Sequence, residues 1–184
     1  MNTRKESDSV GTLDIPADAY YGVQTLRGYE NFQITGAKVN SEFIYNVTLI
    51  KRAAAKVNGE YGFVPKATAD AIVTACDEIL SGKHDGEFIT DCIQGGAGTT
   101  VNMNVNEVIA NRAPELLGGA KGEYLCHPND HVNHAQSTND VIPTAGKLTV
   151  LKLTDGLLEK LSALIEATSA KAQEFDGVIK MGRT

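Results

Sequence analysis

The stretch VIPTAGKLTVLKLTDGLLEKLSALIEATSAKAQEF, residues 141–175, decides the fold class because it predicts one long helix covered on more than one side. After Pro143 it has no strong helix breaker, since Gly146 and Gly156 are tolerated inside a helix. Its apolar residues recur at helical spacing in two stripes. The first stripe is Leu148, Leu151, Leu158 and Ile165, and the second is Val150, Leu153, Leu157, Leu161 and Leu164.

A helix of this length needs long neighbours. At 1.5 Å per residue it extends ~50 Å, which is more than a small domain can cover, so a helical bundle is expected. The chain contains no second helical pattern of comparable length. Other copies of the chain or further sequence must therefore supply the neighbours. The ending DGVIKMGRT favours further sequence, and we expect the 184 residues to be the N-terminal fragment of a longer protein.

The residues before this helix predict shorter elements. Glycines and Pro16 punctuate residues 1–40, which indicates extended segments and turns and no sheet-based domain. Helical spacing begins at Phe43, and a second helix is expected to start near Pro65. A third helix should follow the glycine-rich stretch QGGAGTT and be kinked or shortened by Pro114.

These patterns predict a mainly α fold. Residues 1–140 form a helical N-terminal domain with short β and turn segments. Residues 141–184 form the start of a helical-bundle central domain.

Composition restricts the classes of partner. The 184 residues carry 17 basic and 23 acidic side chains, a net charge of −6, which argues against nucleic acid or an anionic membrane as the main partner. The three widely spaced cysteines include no CxxC pair, as expected for reduced thiols. The N-terminus lacks the apolar core of a signal peptide, and no apolar run is long enough to span a membrane. We therefore expect a cytoplasmic protein.

Two helix starts carry many hydrogen-bond donors. In the loop QGGAGTT, glycines allow the backbone to approach a ligand closely, and Thr99 stands where the third helix begins. In HPNDHVNHAQSTND, residues 127–140, Ser137, Thr138 and Asn139 stand just ahead of the long helix. Each stretch alone fits an ordinary helix cap equally well or better. Together they favour a ligand with two anionic ends, such as a dicarboxylate.

The spacing of the histidines makes them candidate metal ligands. His127 and His131 are four residues apart, but no HExxH motif occurs and Cys126 has no partner cysteine. No metal site and no cofactor are therefore expected. Hydrogen bonding or surface exposure is the preferred interpretation for these side chains.

Several blocks resemble the aspartase/fumarase superfamily in the same order and at the same spacing. They are Arg4-x-Glu6-x-Asp8-x-x-Gly11, PADAYYGVQTLRGYENFQITG from Pro16, GGAGTTVNMNVNEVIANRA from Gly95, HPNDHVNHAQSTND and KMGRT. The resemblance covers essentially the whole chain and is closest to the members that eliminate ammonia from L-aspartate.

The resemblance implies a lyase that forms fumarate by anti-elimination. A base removes a Cβ proton, charge accumulates on the adjacent carboxylate, and ammonia leaves Cα. Thr99, Ser137 and Thr138 would hold the β-carboxylate, Asn139 the amino group and Thr184 the α-carboxylate. His127, Asn129 and Asp130 match the segment that forms a second anion site in fumarases; in this chain their role is expected to be mainly structural.

The resemblance also implies a homotetramer whose active sites combine residues of three subunits, so the two helix starts are expected to converge from neighbouring molecules. The catalytic serine base is expected beyond residue 184, and the isolated chain is expected to be inactive. Two alternatives stay open: a class II fumarate hydratase, and a helical assembly module without catalysis.

Overall fold

The chain is described here by a computed structural model that covers residues 2–183. Thr184, predicted to contact the substrate, lies outside the described residues. The chain divides after Gly146 into two compact units. The mainly α prediction is confirmed, because helices dominate both units and the described strands are short.

The first unit begins with a hairpin. Strands β1 (Thr3–Ser7) and β2 (Thr12–Pro16) pair antiparallel, with Glu6 opposite Leu13. Asp8 closes the turn by accepting the backbone N–H groups of Val10 and Gly11, at 2.9 and 3.0 Å. This hairpin agrees with the extended segments predicted for the first 40 residues.

Four helices of the first unit follow. They are α1 (Val23–Asn31), α2 (Ser41–Glu60), α3 (Lys66–Leu80) and α4 (Thr99–Leu116). Helix α4 packs against α1, α2 and α3, so it is the central element. The main core brings together fully buried apolar residues of three helices: Val47 of α2, Ile72 and Ile79 of α3, and Val105, Val108 and Ile109 of α4.

Two details differ from the sequence-based expectations. Helix α1 lies in a segment predicted as turns. It was not predicted because its start is capped by a distant carboxylate and not by a local residue: Glu107 of α4 accepts the backbone N–H groups of Gln24 and Thr25. Helix α4 runs through Pro114 and ends two residues later. Proline lacks the N–H that would donate to the carbonyl four residues earlier, and its ring crowds that carbonyl, which fits a helix that ends soon after it.

Helix α5 (Thr138–Phe175) is one element of 38 residues, as predicted from its two stripes. Its residues from 147 onward, with the following tail, make up the second unit. All nine side chains of the two stripes are exposed in the described chain. A helix that is apolar on more than one side is normally buried, so this pattern fits the prediction of a bundle helix.

Candidate functional site

The start of α4 is shaped by three consecutive residues with left-handed backbone. Gly96, Ala97 and Gly98 have φ values of 72°, 51° and 91°. This conformation is unfavourable for residues with a Cβ atom, so the glycines in this loop have a conformational role. The hydroxyl of Thr99 donates to the carbonyl of Gly96 at 2.6 Å. Thr99 is exposed and no acidic residue lies in the first turn of α4, so the helix start is open to an anion.

Close packing also requires the glycines of this loop. A Cβ atom at Gly95 would lie 2.7 Å from Cζ of Phe32, and one at Gly98 would lie 2.9 Å from Cγ1 of Ile142. Ile142 belongs to the second turn of α5. The start of α4 therefore touches the start of α5 within one chain.

This contact corrects one expectation. The two donor-rich helix starts were expected to converge from neighbouring molecules, but the contact between Gly98 and Ile142 brings them side by side in the same chain. The sequence alone could not indicate this, because 44 positions separate the two residues and no local pattern records their approach.

Asp91 anchors the loop that precedes α4. Its carboxylate accepts the backbone N–H groups of Thr35, Gly36 and Ile93 at 2.7, 2.9 and 2.8 Å, together with the Thr35 hydroxyl. The hydrogen bond from Ile93, with those from Thr35 and Gly36, holds the pKa of Asp91 well below its usual range. Gln94 then joins this anchor to α4: its amide donates to the Asp91 carbonyl and its oxygen accepts the backbone N–H of Val101.

The start of α5 is held by its own side chains. Ser137 caps the helix, because its hydroxyl oxygen accepts the backbone N–H of Asn139 at 3.2 Å. This bond uses the oxygen of Ser137 and leaves its hydrogen available to a ligand. Ser137 and Asn139 are exposed, and Thr138 is half-buried. None of the three is packed in the dry core.

The predicted second anion site has a different character. His127 and Asn129 line a cavity of about 340 Å³. The same cavity is lined by three acidic residues, Glu6, Asp8 and Glu107; Glu6 pairs with Arg4, and Asp8 pairs with Arg27. The Nδ1 atom of His127 accepts the backbone N–H groups of Asn129 and Asp130, at 3.3 and 3.2 Å, which uses the donors that an anion would need. The role of His127, Asn129 and Asp130 stays a prediction.

The sequence alone did not identify Glu107 as an important residue. Its buried carboxylate accepts the backbone N–H groups of Gly22, Gln24 and Thr25 and the Thr25 hydroxyl, at 2.6 to 3.0 Å. Burial raises its pKa to about 7. It fixes helix α1, whose Gly28 has no room for a Cβ atom because Thr100 packs against it.

Lys51 was missed as well. It is fully buried on α2, and burial lowers its pKa to about 7. A signal was present in the sequence: Lys51 follows Val47 by four residues and precedes Ala55 by four, so it lies on the apolar face of the helix. Among residues 2–183, no group of three or more His, Cys, Asp or Glu side chains is arranged to hold a metal ion. No helix of the described residues is long and apolar enough to cross a membrane.

Comparison with known proteins identifies the family. A family model described as "Lyase" matches residues 11–184. The chain belongs to this lyase family. It is 52% identical to an aspartate ammonia-lyase of Bacillus sp over the whole chain, and 49% identical to that of Escherichia coli K12. It is also 50% identical to a class II fumarate hydratase of Halobacterium salinarum over 98% of the chain.

Solved structures of lyases share the fold. The chain matches a fumarate lyase:delta crystallin of Brucella melitensis with a TM-score of 0.93 and 48% identity, covering 43% of that chain. It matches a class II fumarase of Schistosoma mansoni with a TM-score of 0.90 and 41% identity, covering 39% of that chain. The chain spans about 40% of the length of the curated relatives it matches.

Proposed function

We propose that the full-length protein containing this chain is an aspartate ammonia-lyase, which eliminates ammonia from L-aspartate to give fumarate. The observation that carries the proposal is the contact between Gly98 and Ile142, because it brings two exposed, donor-rich helix starts together in one chain. Relatives at 49 to 52% identity carry the name aspartate ammonia-lyase. Their full lengths exceed this chain, so the activity is proposed for the longer protein.

The chemistry of this lyase needs donors whose interaction strengthens as charge develops. Removal of the Cβ proton places negative charge on the adjacent carboxylate. Neutral hydroxyl and amide donors that are already in position stabilise this charged state more than the substrate, which lowers the barrier. In the proposal, Thr99, Ser137 and Thr138 hold the β-carboxylate. The helix starts beneath Thr99 and Thr138 add their partial positive charge.

The remaining proposed roles divide between this chain and the longer protein. Asn139 contacts the amino group of the substrate, and Thr184 belongs to the site of the α-carboxylate. The base that removes the Cβ proton lies outside this chain, as do the partners of the α-carboxylate. We propose residues 1–140 as the N-terminal lyase domain and residues 141–184 as the start of the central bundle, in a cytoplasmic homotetramer.

A class II fumarate hydratase is the second candidate. It is favoured by the 50% identity to the Halobacterium salinarum enzyme and would eliminate water from malate on the same scaffold. The two functions are separated by incubating the full-length protein with L-aspartate and, in parallel, with L-malate, and following the formation of fumarate by its ultraviolet absorbance. Fumarate formation from aspartate alone supports the ammonia-lyase, and formation from malate alone overturns it in favour of the hydratase.

A helical assembly module without catalysis is the third hypothesis. The exposed stripes of α5 support assembly, but they give no reason for two donor-rich helix starts. Absence of turnover with both substrates in the full-length protein would favour this reading. We expect the isolated 184-residue chain to form no fumarate under conditions where the full-length protein does.

A further inference from the structure

A buried polar cluster lies beneath the start of α5. The Nζ atom of Lys51 donates to Oδ1 of Asn133 at 2.6 Å. The side-chain amides of Asn102 and Asn106 on α4 donate to the same oxygen, each at 3.2 Å. Lys51 and Asn106 are fully buried and Asn102 is 2% exposed. Side chains from two helices therefore converge on one oxygen atom of the segment that leads to Ser137.

This convergence determines which way the Asn133 amide faces. Three donors surround its oxygen, so a reversed amide would place its NH₂ group against other N–H donors. The NH₂ group must then point the opposite way, where it donates to the carbonyl of Gln136 at 3.0 Å. Gln136 is the residue directly before Ser137.

The backbone between Asn133 and Ser137 is strained and is held by hydrogen bonds. Ala135 has a φ of 56°, in the left-handed region that is unfavourable for alanine. The backbone N–H of Gln136 donates to the Asn133 carbonyl, and the Gln136 side chain donates to the carbonyl of Val132. On the other side of the turn, Asn58 of α2 donates to the carbonyl of His134. Strain of this kind persists only where the surroundings enforce it.

Stability alone does not account for the cluster. The side-chain amide oxygens (Oδ1) of Asn102 and Asn106 are buried and have no hydrogen-bond partner among residues 2–183, which is unfavourable. The ammonium of Lys51 is removed from water, and the lowered pKa reports that its charged form is disfavoured. Apolar side chains of the same size often stabilise such positions. The arrangement instead fixes the geometry of one surface turn.

We propose that Lys51, acting with Asn102 and Asn106 through Asn133, is a positioning residue that sets the location of Ser137, Thr138 and Asn139 for catalysis. We call Lys51, Asn102, Asn106 and Asn133 the brace; the first three are buried and Asn133 is half-buried. The inference rests on the proposed function, since it assumes that the Ser137 segment binds the reacting carboxylate. A displacement of about 1 Å in such a donor is enough to lower a rate by about 10²-fold.

The test uses three variants of the full-length protein. Lys51→Met removes the charge and keeps the approximate volume. Asn133→Asp keeps an oxygen for Lys51 and the two asparagines but removes the NH₂ group that donates to the Gln136 carbonyl. Ile15→Val is the matched control, because Ile15 is fully buried in a small apolar cluster separate from the main core.

Three measurements are made on each variant: steady-state kinetics with L-aspartate, which give kcat and KM, the thermal midpoint, and hydrogen–deuterium exchange of residues 133–141. For Lys51→Met we expect kcat to fall about 10- to 100-fold with KM changed by less than about threefold, because the turn supports the transition state more than substrate binding. Exchange in residues 133–141 should rise while the thermal midpoint stays level or increases. Asn133→Asp should show the same loss of kcat. Ile15→Val should lower only the midpoint.

The outcomes separate the brace from the proposed function. If kcat and the exchange of residues 133–141 are unchanged in both brace variants, the brace is refuted. If exchange rises equally in Ile15→Val, or if both brace variants fail to fold, the cluster is only structural and the inference is also overturned. If the wild-type protein turns over neither aspartate nor malate, the proposed function falls. The exchange measurement still decides whether the brace holds the turn.

Discussion

The starts of α4 and α5 present similar hydroxyl groups but are built in different ways. The loop before α4 relies on glycine: Gly96 and Gly98 adopt left-handed backbone, and Gly95 and Gly98 allow close contact with bulky side chains. The turn before α5 contains no glycine between residues 127 and 140. It relies on buried side-chain amides and on Lys51. The start of α4 therefore depends on glycines, which have no Cβ atom, and the start of α5 depends on hydrogen bonds from buried side chains.

The two constructions leave their hydroxyl groups in different states. Thr99 already donates its hydrogen to the Gly96 carbonyl, whereas Ser137 only accepts a hydrogen bond from Asn139. Ser137 therefore has a free donor, while Thr99 must exchange one hydrogen bond for another when it meets a ligand. Under the proposed function, we therefore expect the α5 start to contribute more to transition-state binding than the α4 start.

The largest expected effect is on catalysis. Ser137→Ala in the full-length protein should lower kcat about 10²- to 10³-fold, the usual consequence of losing one donor to a developing oxyanion. Steady-state kinetics with L-aspartate measure this. The loss of kcat for Thr99→Ala should be about ten times smaller than the loss for Ser137→Ala, because the Thr99 hydroxyl already donates to the Gly96 carbonyl. Equal losses for the two variants would contradict the proposed difference between Thr99 and Ser137, and an unchanged kcat for Ser137→Ala would contradict the proposed site.

The pH dependence of stability should expose the buried charge beneath the α5 start. The pKa of Lys51 is lowered from 10.5 to about 7 in the folded protein, so between these values the unfolded chain binds more protons than the folded one. The contribution of Lys51 to the stability of the folded protein is therefore fully present above pH 10.5, its pKa in the unfolded chain, and is lost as pH falls toward 7.

Comparison of the wild-type protein with Lys51→Met isolates this effect. The free energy of unfolding of the wild type, relative to the variant, should rise by about 2–3 kcal/mol between pH 7 and pH 9, as one titrating proton requires. Urea denaturation at a series of pH values measures it. A difference that is independent of pH would mean that burial does not lower the pKa of Lys51.

Substitution of Gly98 should test the glycine-based start. Gly98→Ala should lower the free energy of unfolding by about 2–3 kcal/mol, because it adds backbone strain and a clash with Ile142. Gly118→Ala is the matched control. Gly118 has a similar φ of 86°, but nothing lies within 4 Å of a Cβ atom placed there. It should therefore show the strain alone, about 1–2 kcal/mol.

The contact with Ile142 can be isolated further. Ile142→Ala removes the three side-chain atoms that lie closest to a Cβ atom at position 98. Gly98→Ala should therefore cost less stability in that background, whereas the cost of Gly118→Ala should stay the same, as a double-mutant cycle measures. Equal losses in the two glycine variants, with no rescue, would mean that the two helix starts do not press against each other.

The smallest expected effect concerns Ala135. Ala135→Gly relieves the left-handed strain in the α5 turn and should change the free energy of unfolding by about 0.5–1 kcal/mol in the stabilising direction. Thermal denaturation measures the change. Since the brace holds the turn, kcat should stay within about twofold of the wild type; a large loss of activity would show that the alanine itself, and not the brace, defines the turn.

The sequence predicted the long elements well and the short ones poorly. The two leucine-rich stripes indicated α5 to within a few residues, because a long amphipathic pattern repeats the same signal many times. Helix α1 escaped prediction, since the carboxylate that caps it belongs to Glu107, more than 80 positions away. The domain boundary placed after residue 140 stays a prediction, while the compact units divide after Gly146.

For this protein, residue pattern alone determined the mainly α class, the long bundle helix and the two donor-rich stretches, because periodicity and capping chemistry are local properties of the chain. Tertiary structure decided which of these stretches meet. The contact of Gly98 with Ile142, the capping of α1 by Glu107 and the hydrogen bond from Lys51 to Asn133 all join residues 44 to 85 positions apart. Such pairs form only when helices pack, so no residue spacing along the chain predicts them.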